Sequence, residues 1–366
     1  MTSFVQRAAS FICLAVLVVS AQAQRKTENV ILLMSDGLRW QEVFGGAESI
    51  LLTKESGVNN IDAVKKKYWR DTPSARREAL MPFFWSTVAK HGQIYGNRHL
   101  GSPAHVTNGM NFSYPGYNET ITGFADPRID SNNKFPNPNV SVFEWLNKKP
   151  AFKGKVAAFG SWDVFPFIFN RDRAGHVMIG AFEPLTGVKS PTIELINKLK
   201  LKTPLQWAGE PFDSLMSYQA FEYMKVKRPR ATFIGFGETD EFAHEGKYEE
   251  YLNAARHFDE FVAELWDWIQ STPQYKDKTT LILTCDHGRG AAADGGWKSH
   301  GAKVVGSEAI WIGILGPDTP ALGERSGIPA VTQNQIAATL AALLGEDYNA
   351  AQPKAGAPIK DALPKK

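Results

Sequence analysis

Three aspartates and three histidines of this sequence could hold divalent cations, and most of them stand at or just beyond the end of an apolar, strand-like run. Asp36 closes Ile-Leu-Leu-Met-Ser-Asp-Gly, and Asp286 and His287 follow Leu-Ile-Leu-Thr-Cys. Asp240 and His244 lie in Glu-Thr-Asp-Glu-Phe-Ala-His, and His300 in Lys-Ser-His-Gly. Carboxylates and imidazoles in this mixture suit paired zinc-like ions, and the carboxyl ends of strands are where open α/β sheets gather their chemistry. Each fragment alone has a bland alternative. An Asp-Gly after a strand is commonly a turn, an Asp and a His four apart commonly share a surface hydrogen bond, and a single His commonly packs or bonds locally. Asp286-His287 is sharper, because adjacent strand-end ligands can face one ion. The six together point to a two-metal centre.

The elements that must position them alternate along the chain. Strand-like runs fall at 30–34, 156–159, 232–236, 280–284 and 310–315, each apolar or β-branched and bounded by Gly, Asp or Pro. Helical spacing falls at 80–90, 191–201, 212–226, 247–270 and 333–344. This alternation predicts an α/β fold, a mainly parallel sheet covered on both faces. Two stretches interrupt it, 45–79 and the Pro- and Asn-rich 126–139, and both read as insertions over the sheet rim. The domain is expected to span 24–347, with an Ala-, Pro- and Lys-rich tail over 348–366 that frays.

Composition, 43% apolar and 22% charged, fits one large globular unit with insertions or two smaller ones. Lys and Arg number 41 against 38 Asp and Glu, without a long block of one sign, so no nucleic-acid footprint is expected. Residues 1–23 carry one cation, Arg7, an apolar run and then Ser20-Ala21-Gln22-Ala23, the pattern of a secretory signal cleaved after Ala23. Export to a periplasm or the extracellular space is expected, with no membrane span, because no later run approaches the roughly 20 apolar residues a span needs. Cys13 lies in that leader and leaves Cys285 without an intrachain partner.

These residues resemble the alkaline phosphatase superfamily, particularly its type I phosphodiesterase and nucleotide pyrophosphatase branch. Asp36-Gly37-Leu38-Arg39 is similar to that branch's first-strand motif, and Asp240-x-x-x-His244, Asp286-His287-Gly288 and His300-Gly301 to its later ligand motifs, in the same order. The resemblance implies a three-layer α/β/α sandwich and a Ser or Thr nucleophile between the first and second ligand groups. Ser113-Tyr114-Pro115-Gly116-Tyr117, followed by Thr122-Gly123, keeps the hydroxyl, aromatic, Pro and Thr-Gly of the diesterase pattern and departs at Gly116 and Tyr117. Gly101-Ser102-Pro103-Ala104-His105 competes but has Gly where the hydroxyl belongs, so Ser113 is the expected nucleophile. Pro115 and the residues after it can open a helix whose free N–H groups point towards a phosphate.

By the same resemblance, Asp36, Asp286, His287 and the Ser113 oxygen hold one ion, and Asp240, His244 and His300 the other. A serine hydroxyl needs such activation at neutral pH, and no separate His-Asp pair for it is evident. Two ions about 4 Å apart can stabilise the attacking and leaving oxygens of an in-line displacement at phosphorus. Zinc is expected, with manganese as the alternative. The branch's Asn beyond the nucleophile has its counterparts in Asn132 and Asn133, while Arg39 and Tyr114 are further candidates for substrate contact. A phosphodiester or pyrophosphate substrate is slightly favoured over a monoester. A phosphoglycerate-mutase-like phosphomutase and a non-catalytic phosphoester-binding protein are the alternatives. A sulfatase is disfavoured, because Tyr117 stands where the Arg of its Cys/Ser-x-Pro-x-Arg motif belongs.

Overall fold

The computed structural model describes residues 25–364. The expected leader and its cleavage site lie outside the described residues. Eight strands form one sheet: β1 (Asn29–Ser35), β2 (Gln93–Tyr95), β4 (Val156–Gly160), β5 (Val177–Gly180), β6 (Ala231–Phe236), β7 (Thr279–Thr284), β8 (Ile312–Leu315) and β9 (Gly323–Glu324). Two further short strands, β3 (Ala104–His105) and β10 (Val331–Thr332), pair with each other. The order across the sheet is β5-β4-β6-β1-β7-β8-β2-β9. From β5 to β7 every pairing is parallel, and β8 then runs antiparallel to both β7 and β2.

β1 is the centre of the sheet and is buried at every position, as a parallel strand covered on both faces must be. Side chains on β6 show the two faces, since odd separations along a strand point opposite ways. Phe233 packs against Tyr117, Phe143 and Phe169 on one side. Phe236 packs against Phe258 and Phe261 of the long helix Tyr248–Ser271 on the other. The register pairs Ser35 with Phe236 and Met34 with Thr284, so the carboxyl ends of β6, β1 and β7 lie side by side.

Helices Pro191–Lys202, Asp213–Lys227 and Tyr248–Ser271 agree with the expected spans to within a residue. The helix expected over 80–90 runs over 82–91, with a wide π turn at Phe84–Val88, and a separate helix, Pro73–Leu80, ends before it. Pro82 cannot extend the preceding turn, and the freed Phe83 and Phe84 N–H groups are taken by the Asp259 carboxylate at 2.8 Å each. The 45–79 insertion is folded rather than open, with helix Ile61–Tyr68 capped by Asn60 and helix Pro73–Leu80 capped by Thr72.

The tail expected to fray packs onto the domain instead. Tyr348 is buried and donates to the carbonyls of Thr122 and Val140, at 3.2 and 3.0 Å. Ala355, Ile359 and Ala362 are also buried, and the Gly356 N–H donates to the Gly123 carbonyl at 2.9 Å. These scattered apolar side chains reach a ready-made groove, so an Ala/Pro composition did not prevent docking. Among the described residues no helix is long and apolar enough to cross a membrane.

Candidate metal centre and active site

The six metal-ligand candidates converge at the carboxyl edge of β6, β1 and β7. Asp36 is the first residue beyond β1, and its N–H still donates to Phe236 O at 2.9 Å. The chain then turns at Gly37, whose φ of +59° and position 2.6 Å (as a built Cβ) from Asp240 Oδ1 leave no room for a side chain. The Gly37 N–H donates to Asp286 Oδ1 at 3.1 Å, which ties the ends of β1 and β7 together. Asp240 and His244 stand on the short helix Glu238–His244 that follows β6.

His287 Nε2 lies 3.3 Å from Asp36 Oδ1 and 3.3 Å from Asp286 Oδ2. Ser113 Oγ lies 3.4 Å from the same nitrogen. Such separations match the edges of a tetrahedron whose metal–ligand bonds are about 2.0–2.1 Å. Asp36 Oδ1 and Asp286 Oδ2 are buried without a hydrogen-bond partner. Orphaned carboxylate oxygens facing one another are costly unless a cation lies between them, so this donor set fits a divalent ion. The second group is similarly close: His244 Nε2 is 3.0 Å from His300 Nε2 and 3.0 Å from Asp240 Oδ2, and His300 Nε2 is 3.7 Å from Asp240 Oδ1. His287 and His300 stack at 4.0 Å, which places the two groups side by side.

Outer contacts orient these ligands. The Nδ1 atoms of His287 and His300 face the carbonyls of Gly288 and Asn111, at 2.9 and 3.2 Å, leaving each Nε2 towards the site. The Tyr117 hydroxyl donates to Asp36 Oδ2 at 2.9 Å. Arg289, fully buried, donates to the carbonyls of Trp297 and Lys298 and pairs with the Asp240 carboxylate. Burial alone would raise the Asp240 carboxyl, but Arg289, then His244 and His300, hold it well below the usual carboxylate range. Burial, and next the charge of Asp240, push Asp36 up to about 7. Burial, then Asp36 and Asp240, push Asp286 up as well. Burial pushes the His287 imidazole down to about 4, and burial together with His287 pushes His300 down to about 3. The centre is therefore a dehydrated pocket with more negative charge than it can hold unaided.

Ser113 is the first residue of a buried helix that runs to Thr122. Gly116, one turn on, sits where a Cβ would lie 2.4 Å from the Asp286 carbonyl oxygen, so only glycine lets the helix reach the end of β7. Asn132 Oδ1 accepts the Tyr114 N–H at 3.0 Å, which places Asn132 beside the start of that helix. Asn133 is exposed and shows no such contact. Ser102 lies just ahead of β3, and Thr107 is bonded to Glu119 at 2.8 Å, so neither competes for the centre.

Two expected substrate contacts are corrected. Arg39 is fully buried, its guanidinium divided among Glu42, Glu48 and the Gly290 carbonyl at 3.0 Å. The Tyr114 ring is buried against Phe135 at 5.1 Å, with its hydroxyl donating to Phe135 O at 2.8 Å. Phe44, Tyr117 and Trp297 are likewise core, whereas Trp40 and Trp162 remain half-buried. Asn111-Phe112-Ser113 and Asn118-Glu119-Thr120 have the spacing of glycosylation acceptors, but Asn118 is fully buried and Asn111 nearly so. Tyr117 and Arg289 are the supporting residues whose roles the sequence reading missed. The departure from the family pattern at Tyr117 was the available signal.

The fold and this site, together with a family match over much of the sequence, make the chain a member of the alkaline phosphatase superfamily. The chain belongs within it to the type I phosphodiesterase/nucleotide pyrophosphatase family, whose model matches residues 52–300, more than half of the sequence. Asp36 lies upstream of that match, and its membership of the site rests on the 3.3 Å approach of its Oδ1 to His287 Nε2. Wild-type alkaline phosphatase PafA superposes with a TM-score of 0.59 at 11% identity, over 92% of this chain and 99% of that one. The lipoteichoic acid synthase LtaP from Listeria monocytogenes gives 0.54 at 11% identity, over 88% and 73%. A 2-O GAG sulfatase, BT1596, gives 0.51 at 14%, over 92% and 74%. At such identities these three share the fold with this chain. No curated protein sequence matches it.

Proposed function

We propose that this chain is an exported phosphoric ester hydrolase that takes diesters or pyrophosphates in preference to monoesters and works through a phosphoserine at Ser113. The observation that carries the reading is the meeting of Ser113 Oγ with His287 Nε2 at 3.4 Å, beside the orphaned oxygens of Asp36 and Asp286. Asp36, Asp286, His287 and Ser113 would hold one divalent ion, and Asp240, His244 and His300 a second. Zinc fits the mixed His/Asp donors and short ligand separations best. Bound there, such ions would lower the pKa of the serine hydroxyl and offset charge on the phosphate.

The chain's own residues do the rest. Ser113 Oγ attacks phosphorus, the P–O bond to the leaving group breaks, and the departing oxygen takes a proton. Water then attacks the phosphoserine and frees Ser113. The N-terminus of the Ser113 helix favours the anion. Asn132, held beside it by the Tyr114 N–H, offers its amide Nδ2 as a donor to a non-bridging oxygen.

The placement of the arginines supports the diester preference. A monoester dianion rewards an Arg clamp, but Arg39 and Arg289 are buried in internal pairs and Arg128 is held by Asp126. Lys134 is paired with Asp163 at 2.6 Å. The test is hydrolysis of p-nitrophenyl phosphate, bis-p-nitrophenyl phosphate and p-nitrophenyl thymidine monophosphate by the metal-analysed protein and its Ser113→Ala variant. Diester turnover that exceeds monoester turnover and disappears in the variant is expected. Turnover that survives Ser113→Ala would overturn the assignment, and monoester preference would move the protein to the phosphatases.

A further inference from the structure

A cavity of about 450 Å³ lies behind the helix that carries Asp240 and His244. It is bounded by that helix, Glu238–His244, and by helices Asp213–Lys227 and Tyr248–Ser271. Residues two apart on a helix point about 200° apart. Glu238 and Phe242 therefore line the cavity while Asp240 and His244 reach the metal centre on the other side. The space is thus separate from the reaction site, and its occupation by a ligand is independent of the hydrolase activity proposed for that site.

Its apolar walls are aromatic. Phe236 meets Phe258 at 5.0 Å and Phe261 at 5.4 Å, and Tyr218 stands edge-on to Phe261 at 5.9 Å. Its charged groups are mainly acidic: Asp213 and Glu238 are buried, with the Asp213 N–H donating to Glu238 at 2.9 Å, while Glu250 is half-buried and Glu264 lies at the exposed rim. No Lys or Arg lines it, and His257 is its one basic side chain. Glu260 is neutralised by Arg256 at 2.7 Å. Glu238, Glu250 and Glu264 have no ion pair among the described residues, and the Tyr218 hydroxyl donates to Glu264 at 2.6 Å.

We infer that this cavity is a second ligand site, one that takes a small organic cation with an apolar body, such as an arylalkylammonium. The volume lies in the range of small-molecule sites. Aromatic faces attract a cation through their quadrupoles, and more strongly once it is desolvated. Glu250 and Glu264, carboxylates without an ion pair, give the charged end a partner at the mouth while the apolar body lies against the aromatic walls. A neutral molecule of the same shape gains the apolar contact alone, and an anion is repelled.

The test is calorimetric titration of the full chain with 2-phenylethylammonium, 2-phenylethanol and phenylacetate. The ammonium is expected to bind at least about tenfold tighter than the alcohol, with no binding of the carboxylate. The Glu250→Gln/Glu264→Gln double variant changes surface and rim groups alone. It should bring the ammonium-to-alcohol ratio below about threefold while leaving the alcohol's affinity unchanged. Saturating inorganic phosphate, a probe of the metal centre, should leave the ammonium affinity as it was. Equal affinity for ammonium and alcohol, no saturable binding, an unchanged ratio in the double variant, or displacement by phosphate would each overturn the inference.

Discussion

The Tyr117 hydroxyl donates to Asp36 Oδ2 at 2.9 Å, on the same helical turn that sets Gly116 against the Asp286 carbonyl. The two positions at which the Ser113 segment departs from the family pattern are therefore the two that join its helix to the metal-ligand candidates. Tyr117 fixes the orientation of a carboxylate whose other oxygen has no protein partner. Outer partners of this kind typically account for about 10- to 100-fold in metal affinity. Tyr117→Phe keeps the ring that packs against Phe165 at 4.7 Å and removes only the donor. Its zinc affinity, read by competition with a chelating dye, should fall by that factor while the fold is retained. An unchanged affinity would remove Tyr117 from the site.

Arg289 does for Asp240 what Tyr117 does for Asp36, equally buried but with a full charge. Removing one partner of a buried ion pair strands the other and commonly costs about 3–5 kcal/mol. Arg289→Gln should therefore lower the unfolding free energy of the metal-free protein, read from urea titration, by an amount in that range. A loss under about 1 kcal/mol would show the pair to be dispensable.

Asn132 and Asn133 separate cleanly. Only Asn132 is tied to the start of the Ser113 helix, through the Tyr114 N–H at 3.0 Å. Removing one preorganised donor to a developing oxyanion commonly costs about 10²- to 10³-fold in kcat. Asn132→Ala should lose that much on bis-p-nitrophenyl phosphate, with Asn133→Ala within about twofold of the parent. The reverse ranking would place the phosphate on the other side of the 126–139 segment.

Asp36, Asp286 and His287 were legible because a strand end in a parallel sheet has one place to go, the carboxyl edge; that β1 lies between β6 and β7 was visible only in the structure. Arg39 and Tyr114 were misread because closeness in sequence does not say which way a side chain points. One residue past Ser113 on a helix is a turn of about 100°, which carries Tyr114 into the core. After Gly37 the chain swings Arg39 onto Glu42 and Glu48 instead of the cleft. The buried carboxylate Asp259, which caps the break at Pro82, lies 175 residues or more from the groups it binds. No local pattern could have revealed it.

Protonation gives a signed prediction for metal binding. Burial, then Asp240, raise the Asp36 carboxyl to about 7, whereas His287 and His300 are lowered to about 4 and 3. Between about pH 5 and 7, protons compete with a metal for the carboxylates and hardly at all for the imidazoles. In the metal-free protein, the Asp36 contribution to stability is present below about pH 4 and is lost as pH rises through about 7. The two histidines act oppositely: theirs is present above about pH 6.5 and is lost as pH falls from there through about 4 and 3. Metal bound to the ionised carboxylates should stabilise more at pH 8 than at pH 5.5. Melting curves with and without EDTA should differ more at the higher pH. Equal shifts at both would mean that Asp36 does not share its proton site with the metal.

The C-terminal segment, expected to fray, braces the far end of the Ser113 helix. Tyr348 donates to the Thr122 carbonyl, the last residue of that helix, and the Gly356 N–H donates to the carbonyl of Gly123. Trp145 stands edge-on to Tyr348 at 5.1 Å, so the ring is held from both sides. Tyr348→Ala removes an almost fully buried aromatic side chain, a change that commonly costs about 3–5 kcal/mol. Because the helix is gripped at one end by Tyr348 and carries Ser113 at the other, loosening it should disturb the reaction before the protein melts. Tyr348→Ala should lower kcat at 25 °C as well as the urea midpoint, whereas Lys360→Ala, an exposed change in the same segment, should alter neither. A variant with lowered stability and an unchanged kcat would show that the tail supports the fold without helping to position Ser113.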